Sequence, residues 1–353
     1  MREIIELRVQ EEYARIYLRP DEGRVLGDPE INRIVGPSVR LLFLNTSDPR
    51  YREIEAITKR IWSEENKYFF HGWDIRRQYT RQELAAATAF KLEITACFEP
   101  VGEACGTEYD DASACQMCGA GRLQTSDLRL DLRKAPKNKD IARTIADEWI
   151  ISQRLAELLV DSGMTGFELK SVRHKARYAD DPYILSNYPS GRELLKLAER
   201  LDLRPPEWSF YVWLNRHEQS YLLGHVQTEV IADKERKSQN RTTTLPVWHH
   251  LIVTADRVQV APKTVFGLAP FEEDVRENYR CPLGHVLGLN LLSELHITRY
   301  SWDGSDISVT QQLVGCRRGV LVPRPMIIIS PRLYRLLHEH KIRGHKIEVA
   351  HLE

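Results

Sequence analysis

Ile150-Ile151-Ser152-Gln153-Arg154-Leu155, continued by Leu158-Leu159 and closed by Gly166, returns 178 residues later. The second copy is Ile328-Ile329-Ser330-Pro331-Arg332-Leu333, then Leu336-Leu337 and Gly344. Each copy opens on β-branched residues, which favour a strand. A serine follows where a helix N-cap belongs, because its hydroxyl can accept from an orphan amide of the first turn. The Leu-Leu pair gives the helix an apolar face, and the glycine provides the left-handed turn into the next strand. Many α/β units use a serine cap and a glycine exit, so local physics explains part of the likeness. The equal serine-to-glycine spacing goes further and points to duplication. The chain therefore reads as α+β, with two similar α/β halves from an internal duplication.

Outward from these units, residues 13–18 and 39–44 read as strands. Asp48-Pro49 opens a helix, with Asp as cap and Pro at the first helical position. Its stripe is Ile54, Ile57 and Ile61. Residues 90–96 and 128–132 read as strands, and Asp140 as the cap of a helix bearing Ile141 and Ile145. Residues 178–190 are loop-like, and Ser190 with Glu193 forms a capping box. Trp208, Phe210, Tyr211 and Trp213 mark an aromatic strand, and residues 233–244 are almost wholly polar. Three parts are expected. Residues 1–177 form an N-terminal half carrying a cysteine-rich insert. Residues 178–245 connect through a helix, an aromatic strand and a polar loop. Residues 246–353 form the C-terminal half.

The 353 residues include 42% apolar and 28% charged side chains, the balance of an ordinary folded protein. Fifty basic and fifty acidic residues cancel. A generic nucleic-acid or acidic-membrane binder carries a basic excess, so the balance weighs against both. No run approaches the roughly 18 apolar residues of a membrane helix. The charged start Met1-Arg2-Glu3 lacks a signal-peptide core. The expected location is the cytoplasm, where cysteines are thiols or metal thiolates rather than disulfides.

Chemistry concentrates in residues 97–121. Gly102-Glu103-Ala104-Cys105-Gly106 is followed by Cys115-Gln116-Met117-Cys118-Gly119. Two thiolates separated by two residues can hold one ion, and the trailing glycine lets the backbone turn around it. The arrangement is zinc-ribbon-like, with Gly102 standing where the first cysteine of the first knuckle would be. Cys105, Cys115 and Cys118 are the candidate zinc ligands. Cys97, a distant histidine or an acid could be the fourth. A loop with incidental cysteines is the plain alternative. Cys281-Pro282-Leu283-Gly284-His285 is a second, weaker metal candidate, and a turn leading into a buried strand or helix is its commoner meaning.

No phosphate loop, nucleophile elbow or dinucleotide fingerprint is present. His217-Glu218 and His338-Glu339-His340 lack the second histidine of a zinc-protease helix. Arg133-Lys134 and the run Lys170, Arg173, Lys175 could meet phosphates, though solvated faces are the commoner meaning. The catalytic and organic-cofactor sets are therefore empty.

The glycine-tailed knuckles followed by the Ile-Ile-Ser-x-Arg-Leu…Gly unit resemble the double-CXXCG-motif family of bacterial immunity proteins. The similarity covers roughly residues 90–172, with an echo in 279–350. It implies a zinc-binding protein that neutralises a partner toxin by stoichiometric binding, with Cys105, Cys115 and Cys118 at metal positions. It supplies no catalytic residue. The competing readings are a nucleic-acid-associated zinc protein of phage defence or regulation, and a metal-dependent hydrolase.

Overall fold

The computed structural model describes residues 1–26, 39–65, 67–110, 112–115, 120–175, 245–273, 287–288, 290–314 and 323–353. The fold is mixed α+β, mostly sheet with few helices. It divides into two compact units. The expected elements at 178–244, together with Cys281, His285 and Cys118, lie outside the described residues.

The first unit contains Met1–Thr80. Its elements are β1 (Arg2–Gln10), α1 (Glu11–Tyr17), β2 (Arg24–Leu26), β3 (Val39–Asn45), α2 (Pro49–Glu65) and β4 (Phe70–Gln78). The sheet order is β2-β3-β1-β4, with antiparallel pairing throughout. Ile5, Leu7 and Val9 alternate along β1 and are buried, as are Leu42 and Leu44 of β3. That period of two makes one sheet face apolar. On α2, Ile54 and Ile61 are buried with Thr58. Asp48 opens this helix as expected, its carboxylate accepting from the Arg50 amide at 2.8 Å.

Residues 13–18 are not a strand: they lie within α1 and at its end. Glu11 and Arg15 pair at 3.5 Å across one turn, and Tyr13 stacks on Tyr17 with ring centroids 6.4 Å apart. These one-turn pairs outweigh the β preference of the tyrosines.

The second unit begins with α3 (Arg81–Ala86), β5 (Ala89–Ile94), β6 (Cys97–Phe98), β7 (Tyr109–Asp110), β8 (Leu123–Gln124) and β9 (Arg129–Leu130). It continues with β10 (Ile141–Thr144), β11 (Trp149–Ser152), α4 (Gln153–Asp161), β12 (Phe167–Ser171), β13 (Arg173–His174) and β14 (Trp248–Val253). Then, in chain order, come β15 (Phe266–Ala269), β16 (Glu272–Glu273), β17 (Leu287–Gly288), β18 (Asn290–Leu291) and β19 (Leu295–Ile297), of which Ala269 and Glu272 are assigned to the first unit. The last elements are β20 (Ile307–Val314), β21 (Arg324–Ile329), α5 (Pro331–Glu339) and β22 (His345–Leu352).

Two sheets organise this unit: β12-β14-β11-β10-β6 and β17-β20-β21-β5-β22-β19. Both serine-capped segments are strand–helix–strand units, as their spacing predicts. Ser152 Oγ accepts from the Leu155 amide at 3.3 Å, and Ser330 Oγ from the Leu333 amide at 3.1 Å. Gly166 and Gly344 have φ of +92° and +110°. A Cβ at either would run into the carbonyl oxygen of Ile307 or Ile141 respectively. Glycine is therefore required twice over at these turns, by dihedral and by space.

The predicted helix after Asp140 is instead the strand β10. The Asp140 carboxylate is occupied elsewhere: it accepts from the Arg343 amide at 3.0 Å, from Ser152 Oγ at 3.3 Å and from Arg154 at 3.2 Å. Ile141 and Ala142 are both buried, so tertiary packing overrides the capping signal.

The sheets carry two separate cores. One contains Phe98, Leu128, Leu130, Ile150, Val172 and Trp248. The other contains Val258, Leu295, Ile297, Ile328, Ala350 and Ala89. Each fully buried Ile or Leu contributes on the order of 1.5–3 kcal/mol by leaving water.

Candidate metal centre and the hairpin that carries it

The first knuckle is a tight turn over residues 102–107. Cys105 and Thr107 donate their amides to the Gly102 carbonyl, both at 2.8 Å, and Gly106 donates to Glu103 at 3.0 Å. Gly106 has φ +85°, the left-handed geometry expected of the knuckle glycine. Cys105 is fully buried. The strands β7 and β8 follow as a hairpin, with Tyr109 opposite Gln124 and Asp110 opposite Leu123. Toward its tip, the Cys115 amide donates to the Ala120 carbonyl at 2.7 Å. Cys115 is buried with Ala120 and Leu313.

Cys97 lies on β6, where it is exposed and pairs in register with Arg143. Partial burial of its sulfur pushes the thiol up, against the Arg143 guanidinium acting to lower it. Cys97, Cys105 and Cys115 form no disulfide. Among the described residues no three His, Cys, Asp or Glu side chains cluster as metal ligands. Cys105 sits on the glycine-assisted first turn and Cys115 opens the second knuckle, whose residues 116–119 lie outside the described residues, whereas position 102 offers no ligand.

The space at Gly102 belongs to Glu148, a residue the sequence reading missed. Glu148 sits on the turn between β10 and β11 and is buried. Its carboxylate accepts from the Gly102 amide at 2.8 and 2.9 Å, and from the hydroxyls of Tyr109 and Thr144. Burial raises the Glu148 pKa, opposed by these hydrogen bonds. Burial also pushes the Tyr109 phenol up, with the neighbouring Glu148 carboxylate adding to it. Arg122 lies over the Tyr109 ring, 4.4 Å from its centroid, and donates to Glu103 at 3.0 Å. The base of the hairpin is thus fastened by a buried carboxylate and a surface ion pair.

The antiparallel strand pair β15 and β18 carries the same hydrogen bonds. Thr107 Oγ1 accepts from the Arg129 amide at 2.9 Å and donates to the Arg129 carbonyl at 3.2 Å. Thr264 Oγ1 does the same with His296, at 2.9 Å in both directions. The Glu108 amide donates to Ser126 Oγ at 2.9 Å, and the Val265 amide to Ser293 Oγ at 2.9 Å. β7 and β8 then correspond to β15 and β18, with Phe266 opposite Leu291. A signal for this was available in the sequence. Ser126-Asp127-Leu128-Arg129-Leu130 matches Ser293-Glu294-Leu295-His296-Ile297, and Ile94-Thr95-Ala96 matches Val253-Thr254-Ala255.

Other expected binding groups are engaged locally. Arg173 pairs with Asp127 at 2.6 Å and Lys170 with Glu168 at 3.8 Å. Arg133 pairs with Asp131 at 2.7 Å. His249 and His250 face opposite ways on β14, as the alternation requires. His249 Nε2 meets Gln153 Oε1 at 2.5 Å. Burial lowers the pKa of His250 to about 4, with Lys170 adding to the effect. No helix among the described residues is long and apolar enough to cross a membrane. No protein-family model, curated protein or solved structure matches the chain.

Proposed function

We propose that this chain is a zinc-containing cytoplasmic binding protein that neutralises a protein partner, a toxin, by stoichiometric association. The observation that carries the reading is the hairpin with a glycine-assisted turn bearing Cys105 at its base and Cys115 buried farther along it, beside the serine-capped unit. These are the features on which the resemblance to double-CXXCG immunity proteins rests. Cys105, Cys115 and Cys118 would hold the zinc, with Cys97 as fourth ligand, and the ion would stabilise the hairpin as structural zinc does. The nucleic-acid reading is the weaker one, because Arg173, Lys170 and Arg133 are already paired with carboxylates. The test is coexpression with the product of an adjacent toxin gene. Growth rescue that scales with equimolar protein, and a copurifying complex, support the reading. Rescue by catalytic amounts without a complex overturns it.

The fold reading that goes with this function is internal duplication. It is supported by the paired caps, glycine turns, strand pairs and cores. One repeat covers residues 89–174 and the other 248–352. The first carries the zinc-ribbon-like hairpin with its cysteines, and the second keeps the strand pair β15 and β18 with Pro262 at the place of Cys105.

A further inference from the structure

We infer that each repeat presents a strand-acceptor slot whose occupant is the first strand of another repeat, so that a second copy of this chain can fill it. The inference rests on the duplication proposed above and adds an interaction surface to it. In chain order β5 opens the first repeat, yet it lies between β21 and β22 of the second. β14 opens the second repeat, yet it lies between β11 and β12 of the first. The registers are equivalent. Leu92 stands opposite Ile347 where Leu251 stands opposite Leu169, and Phe90 stands opposite Ile329 where His249 stands opposite Ile151.

The crossings match as well. The amides of Thr95 and Ala96 donate to the Gly344 carbonyl at 2.9 and 3.2 Å. Those of Thr254 and Ala255 donate to the Gly166 carbonyl at the same two distances. Each helix also reaches the other repeat. Arg154 donates to the His340 carbonyl, and Arg332 to the Ser162 carbonyl. Each core is completed by one residue of the exchanged strand, Trp248 in one and Ala89 in the other.

An empty slot would leave two facing rows of backbone donors and acceptors without partners, a state that folded proteins avoid. A lone repeat has placed its own first strand elsewhere, so its slot calls for a strand from another repeat. Within one chain the two repeats satisfy each other. Between two chains the same registers are available, which is the condition for domain swapping.

Two full-length variants test this. Leu92→Pro removes a ladder amide from β5, and Leu251→Pro removes one from β14. In hydrogen-exchange mass spectrometry, L92P should lose protection in β21 and β22 while β11 and β12 keep theirs, and L251P should do the reverse. Leu92→Ala and Leu251→Ala should give the same pattern at smaller amplitude if the proline chains prove insoluble. Corefolding L92P with L251P at equal concentration should yield a heterodimer by light scattering that neither forms alone, because one intact β5 and one intact β14 then meet across chains. Loss of protection in the mutated strand's own repeat would overturn the exchange and leave the duplication standing. Corefolding without a heterodimer would overturn the acceptor role toward a second copy.

Discussion

The Gly102 amide donates to both carboxylate oxygens of Glu148, at 2.8 and 2.9 Å, and a Cβ on Gly102 would stand 2.5 Å from Glu148 Oε1. The residue that breaks the double-cysteine pattern is therefore fitted to a buried acid. Gly102→Ala should destabilise the chain by about 1–3 kcal/mol, the usual cost of forcing an extra carbon into a filled space. Glu148→Gln separates charge from packing. Because burial raises the folded pKa of Glu148 above its ordinary 4.5, its stabilising contribution is full below that value and is lost as pH rises through the folded pKa. The stability of E148Q relative to the parent should improve as pH increases from 4.5. Denaturant titrations across that range check it, and parallel pH profiles would refute it.

The two serine caps should be unequal. Ser330 is buried, caps Leu333 at 3.1 Å and donates to Asp306 at 2.5 Å. Ser152 is less buried, and both of its corresponding bonds are 3.3 Å. Cap removal costs about 0.5–2 kcal/mol, so Ser330→Ala should lie near the upper end and Ser152→Ala near the lower. Urea midpoints at constant slope would measure the difference.

Gly166→Ala and Gly344→Ala should each cost about 3 kcal/mol or more, because strain at positive φ adds to a clash with a backbone carbonyl. By contrast Gly304, with φ +85° and open space around it, should tolerate alanine with only the dihedral penalty. Thermal melts of the three variants would rank them.

His250 and Lys170 face each other on neighbouring strands at the position where the other sheet pairs Lys91 with Glu348, at 2.9 Å. The ion pair of one sheet is thus replaced by two basic groups in the other. A histidine pKa near 4 means that the folded protein resists protonation which the unfolded chain accepts from about 6.5 downward. Stability should fall as pH drops from 6.5 toward 4. His345, lowered by burial, should contribute in the same direction. An NMR titration of His250 should show a midpoint near 4, and Lys170→Ala should move it upward.

Purified protein should contain about one zinc per chain, and Cys115→Ser or Cys118→Ser should release it and weaken the hairpin. Cys97→Ser discriminates further, since retained zinc would exclude Cys97 as a ligand. Elemental analysis of the three variants decides between these outcomes.

What the sequence determined by itself was local. The Ser caps, the Leu-Leu faces, the glycine turns and the Asp48-Pro49 helix start depend on neighbours a few residues away, so spacing reveals them. The same local logic failed at Asp140, whose carboxylate is claimed by Arg343 from 203 residues along the chain. It failed again at residues 13–18, where one-turn tyrosine and ion pairs overcame strand propensity. Tertiary structure alone decided that Glu148 fills the place beside Gly102. It alone decided that β5 lies between β21 and β22, and β14 between β11 and β12. A strand's pattern of apolar and polar residues states which face it buries, but its hydrogen-bonding edges are the same backbone groups in every strand. The choice of partner is therefore made only when the whole fold satisfies those edges.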